Sequence, residues 1–188
     1  KALGGGFGPG LCFIGAVSSA GKSSVMLQVA DNMAKAGNDV IYFTLEMNPK
    51  KVLARSISRI SFELSNGNSD LALTAGSIIN GKKHAGFSAE QKKLLEDSFV
   101  EYERIQENLF YQYKLGKIDA DYIKTVTEEH MKVLNKKPIV IVDYLQILQP
   151  MDSKGTDKQV VDDSVFALKE LADNNDLIVI AISSFNRA

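Results

Sequence analysis

Leu11-Cys12-Phe13-Ile14-Gly15-Ala16-Val17-Ser18-Ser19-Ala20-Gly21-Lys22-Ser23-Ser24 is the stretch from which the rest of the chain is best read. Its first four residues form a short apolar run of strand type. A loop of small residues follows. Gly-Lys-Ser then opens a segment in which Val25, Val29 and Met33 recur at helical spacing. Strand, tight loop and Gly-Lys-Ser at a helix start is an arrangement that cradles phosphates. Backbone N–H groups without helical partners and the positive end of the helix dipole meet an anion there. Lys22 adds a point charge for terminal phosphates, and the Ser23 hydroxyl suits Mg²⁺. Ala16, Val17, Ser18, Ser19, Ala20, Gly21, Lys22, Ser23 and Ser24 are therefore the expected phosphate-binding set, and a nucleoside triphosphate is the expected ligand. The pattern ordinarily begins with glycine. Position 16 is alanine, and Gly15 falls one residue early. A left-handed backbone at Ala16 would cost roughly 1 kcal/mol. An ordinary Ser/Gly-rich turn is the plainer reading, but it leaves the flanking strand and helix unaccounted for.

Composition narrows the field. At 188 residues the chain is expected to be one domain with a sizeable core. It is 45% hydrophobic and 24% charged, and no apolar run reaches the length of a membrane span. The single cysteine, Cys12, lies inside the first strand and cannot form an internal disulfide. It reads as a core residue of a reducing, cytoplasmic compartment. His84 and His130 are far apart in sequence and have no cysteine partners, so a structural zinc site is not expected. A net charge of −1 gives no bulk signal for nucleic acid. Because the chain starts at Lys1 and stops after a strand pattern, it is expected to be a fragment, with an upstream domain and further C-terminal strands absent.

Strand and helix patterns alternate along the chain. Residues 21–36 form a helical pattern that Gly37 can end. Residues 40–45 are rich in β-branched and aromatic types. Asn48-Pro49 reads as an N-cap followed by proline at the first helical position, before a face made of Val52, Leu53, Ile57 and Ile60. Residues 62–87 read as loop with short helical pieces. Ser88 and Gln91 make a capping box ahead of an apolar stripe of Leu94, Leu95, Phe99, Tyr102 and Ile105. Residues 109–113 form a third strand. Residues 121–135 form a helix offering Ile123, Val126 and Val133 to the core. Ile139-Val140-Ile141-Val142 has no alternation, which indicates a strand buried on both faces of a parallel sheet. Residues 150–159 are polar and expected to be mobile. The next helix runs to about Asn174, with Val161, Val165, Leu168 and Leu171 inward, and residues 177–182 form the last strand. The pattern predicts a three-layer α/β fold with a mostly parallel sheet and no internal repeat.

Two acids complete the expected site. Asp143 ends the buried strand, and an acid at the C-terminal end of a central strand faces the same crevice as the phosphate loop. It can hold the Mg²⁺ water shell beside Ser23. Taken alone it would be a commonplace strand-end carboxylate. Glu46 closes the second strand at the same edge, where it can orient and deprotonate an attacking water. On position alone, a surface glutamate before a helix is an equally good reading.

Three further segments bring these residues together. Thr44-Leu45-Glu46-Met47, Asp143-Tyr144-Leu145-Gln146 and Ser183-Ser184-Phe185-Asn186-Arg187 resemble signature segments of the DnaB-type replicative helicases, in the same order. Residues 16–23 resemble that family's phosphate loop, which also begins with alanine. The resemblance runs from about Gly4 to the end, with residues 62–135 matching only in pattern. It implies a RecA-like P-loop NTPase core, a hexameric ring of identical subunits with ATP sites between them, and translocation on single-stranded DNA. By the match, Lys22 and Ser23 bind phosphates and magnesium, Asp143 supports the metal, and Glu46 is the catalytic base. Residues 183–187 then lie near the γ-phosphate and relay its state.

The chain departs from the family where Ser184 stands in place of the usual glutamine. An amide both donates and accepts at longer reach than a hydroxyl, so this position bears on coupling rather than on ATP binding. The family's arginine finger and main DNA loops lie beyond residue 188, so slow or silent ATPase activity is expected of the isolated chain. Lys154 and Lys158 are candidate backbone contacts for DNA, though Asp152 and Asp157 beside them favour a solvated turn. Arg55 and Arg59 share a helical face and read as surface or interface charges, or as phosphate contacts. The alternative function is a RecA-like ATP-binding assembly or regulatory module without unwinding activity. A small-molecule kinase would need an acceptor lid that the sequence does not display.

Overall fold

The computed structural model describes residues 6–17, 20–44, 47–113, 118–145 and 157–185, without the side chains of Lys82, Asp157, Lys158, Val160, Ser184 and Phe185. Among them, five strands form one sheet in the order β1-β5-β4-β2-β3. The strands are β1 (Gly10–Val17), β2 (Val40–Thr44), β3 (Leu109–Gln112), β4 (Ile139–Asp143) and β5 (Ile178–Phe185). Every described pairing is parallel. Parallel neighbours require crossovers, and the helices supply them: α1 (Lys22–Lys35), α2 (Pro49–Leu64), α3 (Ala75–Ile79), α4 (Gly81–His84), α5 (Ala89–Gln106), α6 (Ala120–Leu134) and α7 (Asp157–Asn175).

Strand alternation divides the core into two layers. Val40, Tyr42, Ile141, Ile180 and Ile182 pack against α1, α2 and α5 through Met26, Ala30, Ile57, Ile60, Tyr102 and Ile105. Their sequence neighbours Ile41, Phe43, Val140, Val142, Val179 and Ala181 pack against Ile123, Leu168, Leu171 and Ala172 of α6 and α7. Each fully buried aliphatic side chain is worth about 1.5–3 kcal/mol. The unalternating run at 139–142 is apolar because both of its faces are covered.

Local signals in the sequence set most of the boundaries. Asn48 accepts from the Lys50 N–H at 2.8 Å ahead of Pro49, and Ser88 with Gln91 closes a full capping box. Gly37 sits at φ +86° and its N–H returns to the Ala34 carbonyl, ending α1 in the left-handed conformation that glycine tolerates best. The span 62–87 consists of the last turn of α2, then α3 and α4 in a loop, as its pattern suggested. The first strand extends to Val17, three residues past its apolar run, because pairing with β5 carries it on. Helix α7 starts at Asp157, inside the stretch read as a polar loop, and the rest of that loop lies outside the described residues.

Three expected core residues face solvent. Val25 is 58% exposed, Phe99 40% and Val133 77%. In α1 the inward stripe is Met26, Leu27, Ala30 and Ala34 instead, because small alanines let the helix lie close on the sheet. Cys12 is half-buried on edge strand β1.

Candidate functional site at the strand tips

Because the strands are parallel, their C-terminal tips share one edge of the sheet. Val17, Asp143 and Thr44 end β1, β4 and β2 there. One strand, β5, separates β1 from β4, so the two tips lie roughly 10 Å apart at the usual strand spacing. Register also determines the face. Asp143 has the parity of Ile141, which packs toward α1 and α2. The acid therefore stands on the side of the sheet where helix α1 emerges from the loop.

Gly21 is the N-cap of α1, at φ 86° and ψ 14°, and no side chain caps the helix. A left-handed residue at this point turns the chain sharply from loop into helix. Gly21 has no side chain to offer the first-turn N–H groups of α1, which point toward the N-terminal end of the helix. The Lys22 ammonium reaches back to the end of β1, donating to the carbonyls of Ala16 at 3.2 Å and Val17 at 3.1 Å. Ser23 is half-buried. Ala16 belongs to β1, with a backbone partner in Ser184, and is not among the described non-glycine residues of positive φ. The strain considered for alanine at this position does not arise, because position 16 is still strand.

Asp143 is 1% exposed. One of its carboxylate oxygens accepts from the Tyr42 hydroxyl at 2.9 Å. Burial, then the negative charge of Asp143, push the Tyr42 hydroxyl well above the usual tyrosine range, so it stays protonated as a donor. The peptide bond after Asp143 is cis. Thr44 lies opposite Asp143 in the β2–β4 ladder, and its hydroxyl accepts from the Met47 N–H at 3.2 Å. Glu46, the expected base, lies outside the described residues, as do Ser18, Ser19, Gln146, Asn186, Arg187, Lys154 and Asp152. The backbone of Ser184 pairs with Ala16, next to the loop.

Helix α2 adds residues whose partners the sequence did not reveal. Arg55 donates to the Ser24 hydroxyl at 3.3 Å, tying α2 to the first turn of α1. Arg59 bridges Asp31 at 2.9 Å and Glu63 at 2.6 Å. Asp31 is fully buried, and burial holds its carboxyl above the usual range against the opposing pull of Ser56 and Arg59. A cleft of about 570 Å³ opens here, lined by Ser24, Gln28, Arg55 and Arg59 among others, and it reaches the loop through Ser24. Asp31 belongs to a buried helical stripe of otherwise apolar residues. That anomaly, matched with an arginine on the next helix, was the available signal. For Tyr42 it was a hydroxyl in a strand with no exposed residue.

Comparison with known proteins agrees with this architecture. The family model described as DnaB-like helicase C terminal domain matches residues 1–188. A solved structure described as a DnaB-like replicative helicase and its interactions with primase superposes with a TM-score of 0.80 at 26% identity, over 97% of this chain and 40% of that one. A second solved structure, described as an ATPase domain, superposes with a TM-score of 0.80 at 26% identity, over 95% of this chain and 58% of that one. The chain thus spans about half the length of the solved proteins it matches. No curated protein sequence matches it. Among the described residues no helix is long and apolar enough to cross a membrane, and no group of His, Cys, Asp and Glu is arranged to hold a metal by itself.

Proposed function

The chain belongs to the DnaB-like helicase C-terminal domain family, and from that membership we propose that it is the ATP-hydrolysing motor unit of a replicative DNA helicase. It acts as one RecA-like domain within a ring of identical subunits, hexameric in the full protein, that moves along single-stranded DNA. The observation carrying this reading is the shared geometry of loop and acid. An uncapped helix start with Lys22 and Ser23 lies at the strand-tip edge, and Asp143 is buried at that edge on the same sheet face.

The donor set suits a magnesium nucleotide. N–H groups and an ammonium meet phosphate oxygens, while a hydroxyl and a carboxylate, both hard oxygen donors, suit Mg²⁺ and its waters. Residues 16–24 would take the phosphates. Lys22, which now donates to the carbonyls of Ala16 and Val17, would exchange these acceptors for phosphate oxygens. Ser23 and Asp143 would hold the magnesium ion, which would supply charge neutralisation on the terminal phosphates. Glu46 takes a proton from the attacking water. Ser184, whose backbone pairs with Ala16, would pass the nucleotide state on to the residues that follow it.

The test uses the full-length protein. Lys22→Ala should weaken ATP binding at least about 100-fold in a fluorescent-nucleotide titration. Glu46→Gln should keep binding yet lower turnover by about 100-fold or more, the range of a lost general base. DNA-stimulated hydrolysis with strand displacement supports the motor. ATP-driven assembly without DNA stimulation would instead identify a non-unwinding module.

A further inference from the structure

Tyr42 sits at the centre of β2, between β4 and β3, and is 0% exposed. All five residues of that strand are buried, and apolar side chains would fill it without a polar cost. A buried hydroxyl costs about 1–3 kcal/mol unless it finds a partner. The one it finds is the Asp143 carboxylate, at 2.9 Å. Register explains the reach. Tyr42 pairs with Ile141 and Thr44 pairs with Asp143, so Tyr42 and Asp143 are diagonal neighbours on one sheet face. Such diagonals span about 7–8 Å between backbones, a gap that an aromatic ring with a terminal hydroxyl closes and an aliphatic side chain does not. The ring itself is held edge-on by Tyr111, with centroids 5.7 Å apart at 61°.

We propose that Tyr42 is a positioning residue for the nucleotide's divalent cation: its hydroxyl fixes the plane of the Asp143 carboxylate and so presents that acid to the metal in one orientation. The inference rests on Asp143 serving the metal, as argued above. Tyr42 does not touch the nucleotide. It acts through Asp143, as outer-shell partners of ligating carboxylates do, and loss of such a partner typically costs about 10–100-fold in metal affinity.

The experiment measures Mn²⁺ binding by electron paramagnetic resonance in the full-length protein saturated with ADP. Fluorescent ADP binding in EDTA and the thermal midpoint are followed alongside. Tyr42→Phe keeps the ring and removes only the hydroxyl. The expected result is Mn²⁺ affinity lowered by about tenfold, metal-free ADP affinity unchanged within about twofold, and a Mg²⁺ requirement for hydrolysis that moves to higher concentration with kcat recovered at saturation. Added to Asp143→Asn, the same change should have no further effect on Mn²⁺. If Asp143→Asn weakens Mn²⁺ while Tyr42→Phe leaves it unchanged, the positioning role is overturned and the site reading survives. If Asp143→Asn itself leaves Mn²⁺ binding unchanged, the site reading falls and this inference with it. Equal losses of ADP affinity with and without metal, accompanied by a lower thermal midpoint, would reduce Tyr42 to a packing residue.

Discussion

The two faces of the sheet are built to different rules. The α6/α7 face is sealed by a fully buried set that includes Ile41, Phe43, Val140, Val142 and Leu168, with hydrocarbon side chains throughout. The buried Thr127 hydroxyl there donates to the Ile123 carbonyl one turn back. At the margin Asp39 is held by His130 and Lys136. The α1/α2 face buries Asp31, Ser56, Tyr42 and Asp143 within its core. Tyr42 bonds to Asp143 and Asp31 to Arg59 across elements, and at the surface Arg55 reaches Ser24. Burying charge this way is a poor route to stability, since desolvation consumes most of the attraction. The segment before α1 that we propose binds phosphates leads into this face, and the polar links tie α1 to α2 and the second strand to the one that carries Asp143. One face holds the fold together, and the other holds the site in register.

That contrast can be broken by substitution. The largest expected effect is on the apolar face. Leu168→Ala, at a fully buried position, should cost about 3–4 kcal/mol in denaturant unfolding and leave nucleotide affinity within about twofold. A specific loss of nucleotide binding there would show that the dry face also serves the site. Next, Arg59→Ala should cost about 2 kcal/mol, because it strands the Asp31 charge without its guanidinium. Asp31 already has a raised pKa in the folded state. A group of this kind binds protons more tightly when folded, so its cost is present at neutral pH and fades as pH falls through the folded value. The Arg59→Ala deficit should therefore shrink as unfolding is repeated at successively lower pH, starting from neutrality. A deficit constant with pH would mean that packing of the arginine stem, rather than charge, is what was lost. The smallest effect should come from Val133→Lys, on the outer side of α6 at 77% exposure. It should change stability by no more than about 0.5 kcal/mol, and a larger loss would show that this flank packs against something.

Much of the fold was legible in advance because its signals are local. The Asn48 and Ser88 caps, Gly37 and the β-branched run at 139–142 each decide their element through nearest neighbours in sequence. The turn from loop into α1 and the strand end at Asp143 were legible for the same reason. Helix faces were read less well. Val25, Phe99 and Val133 were expected inside because periodicity gives a stripe's spacing but not its width, and the alanines of α1 carry little hydrophobic signal although they make the closest contact with the sheet. Arg55 and Arg59 read as surface charges because their partners, Ser24 and Asp31, are 31 and 28 residues away.

The sequence by itself determined the alternation of strand and helix, the loop that turns into α1, and the acid at the end of a doubly buried strand. These follow from spacing, side-chain type and the handedness of the backbone. Strand order came only from the tertiary structure, which inserts β5 between β1 and β4, and so did the absence of strain at Ala16. The pairing of Tyr42 with Asp143, 101 residues apart, belongs to the same class. Register between strands arises from packing both sheet faces at once, so no local segment encodes which hydroxyl will meet which carboxylate.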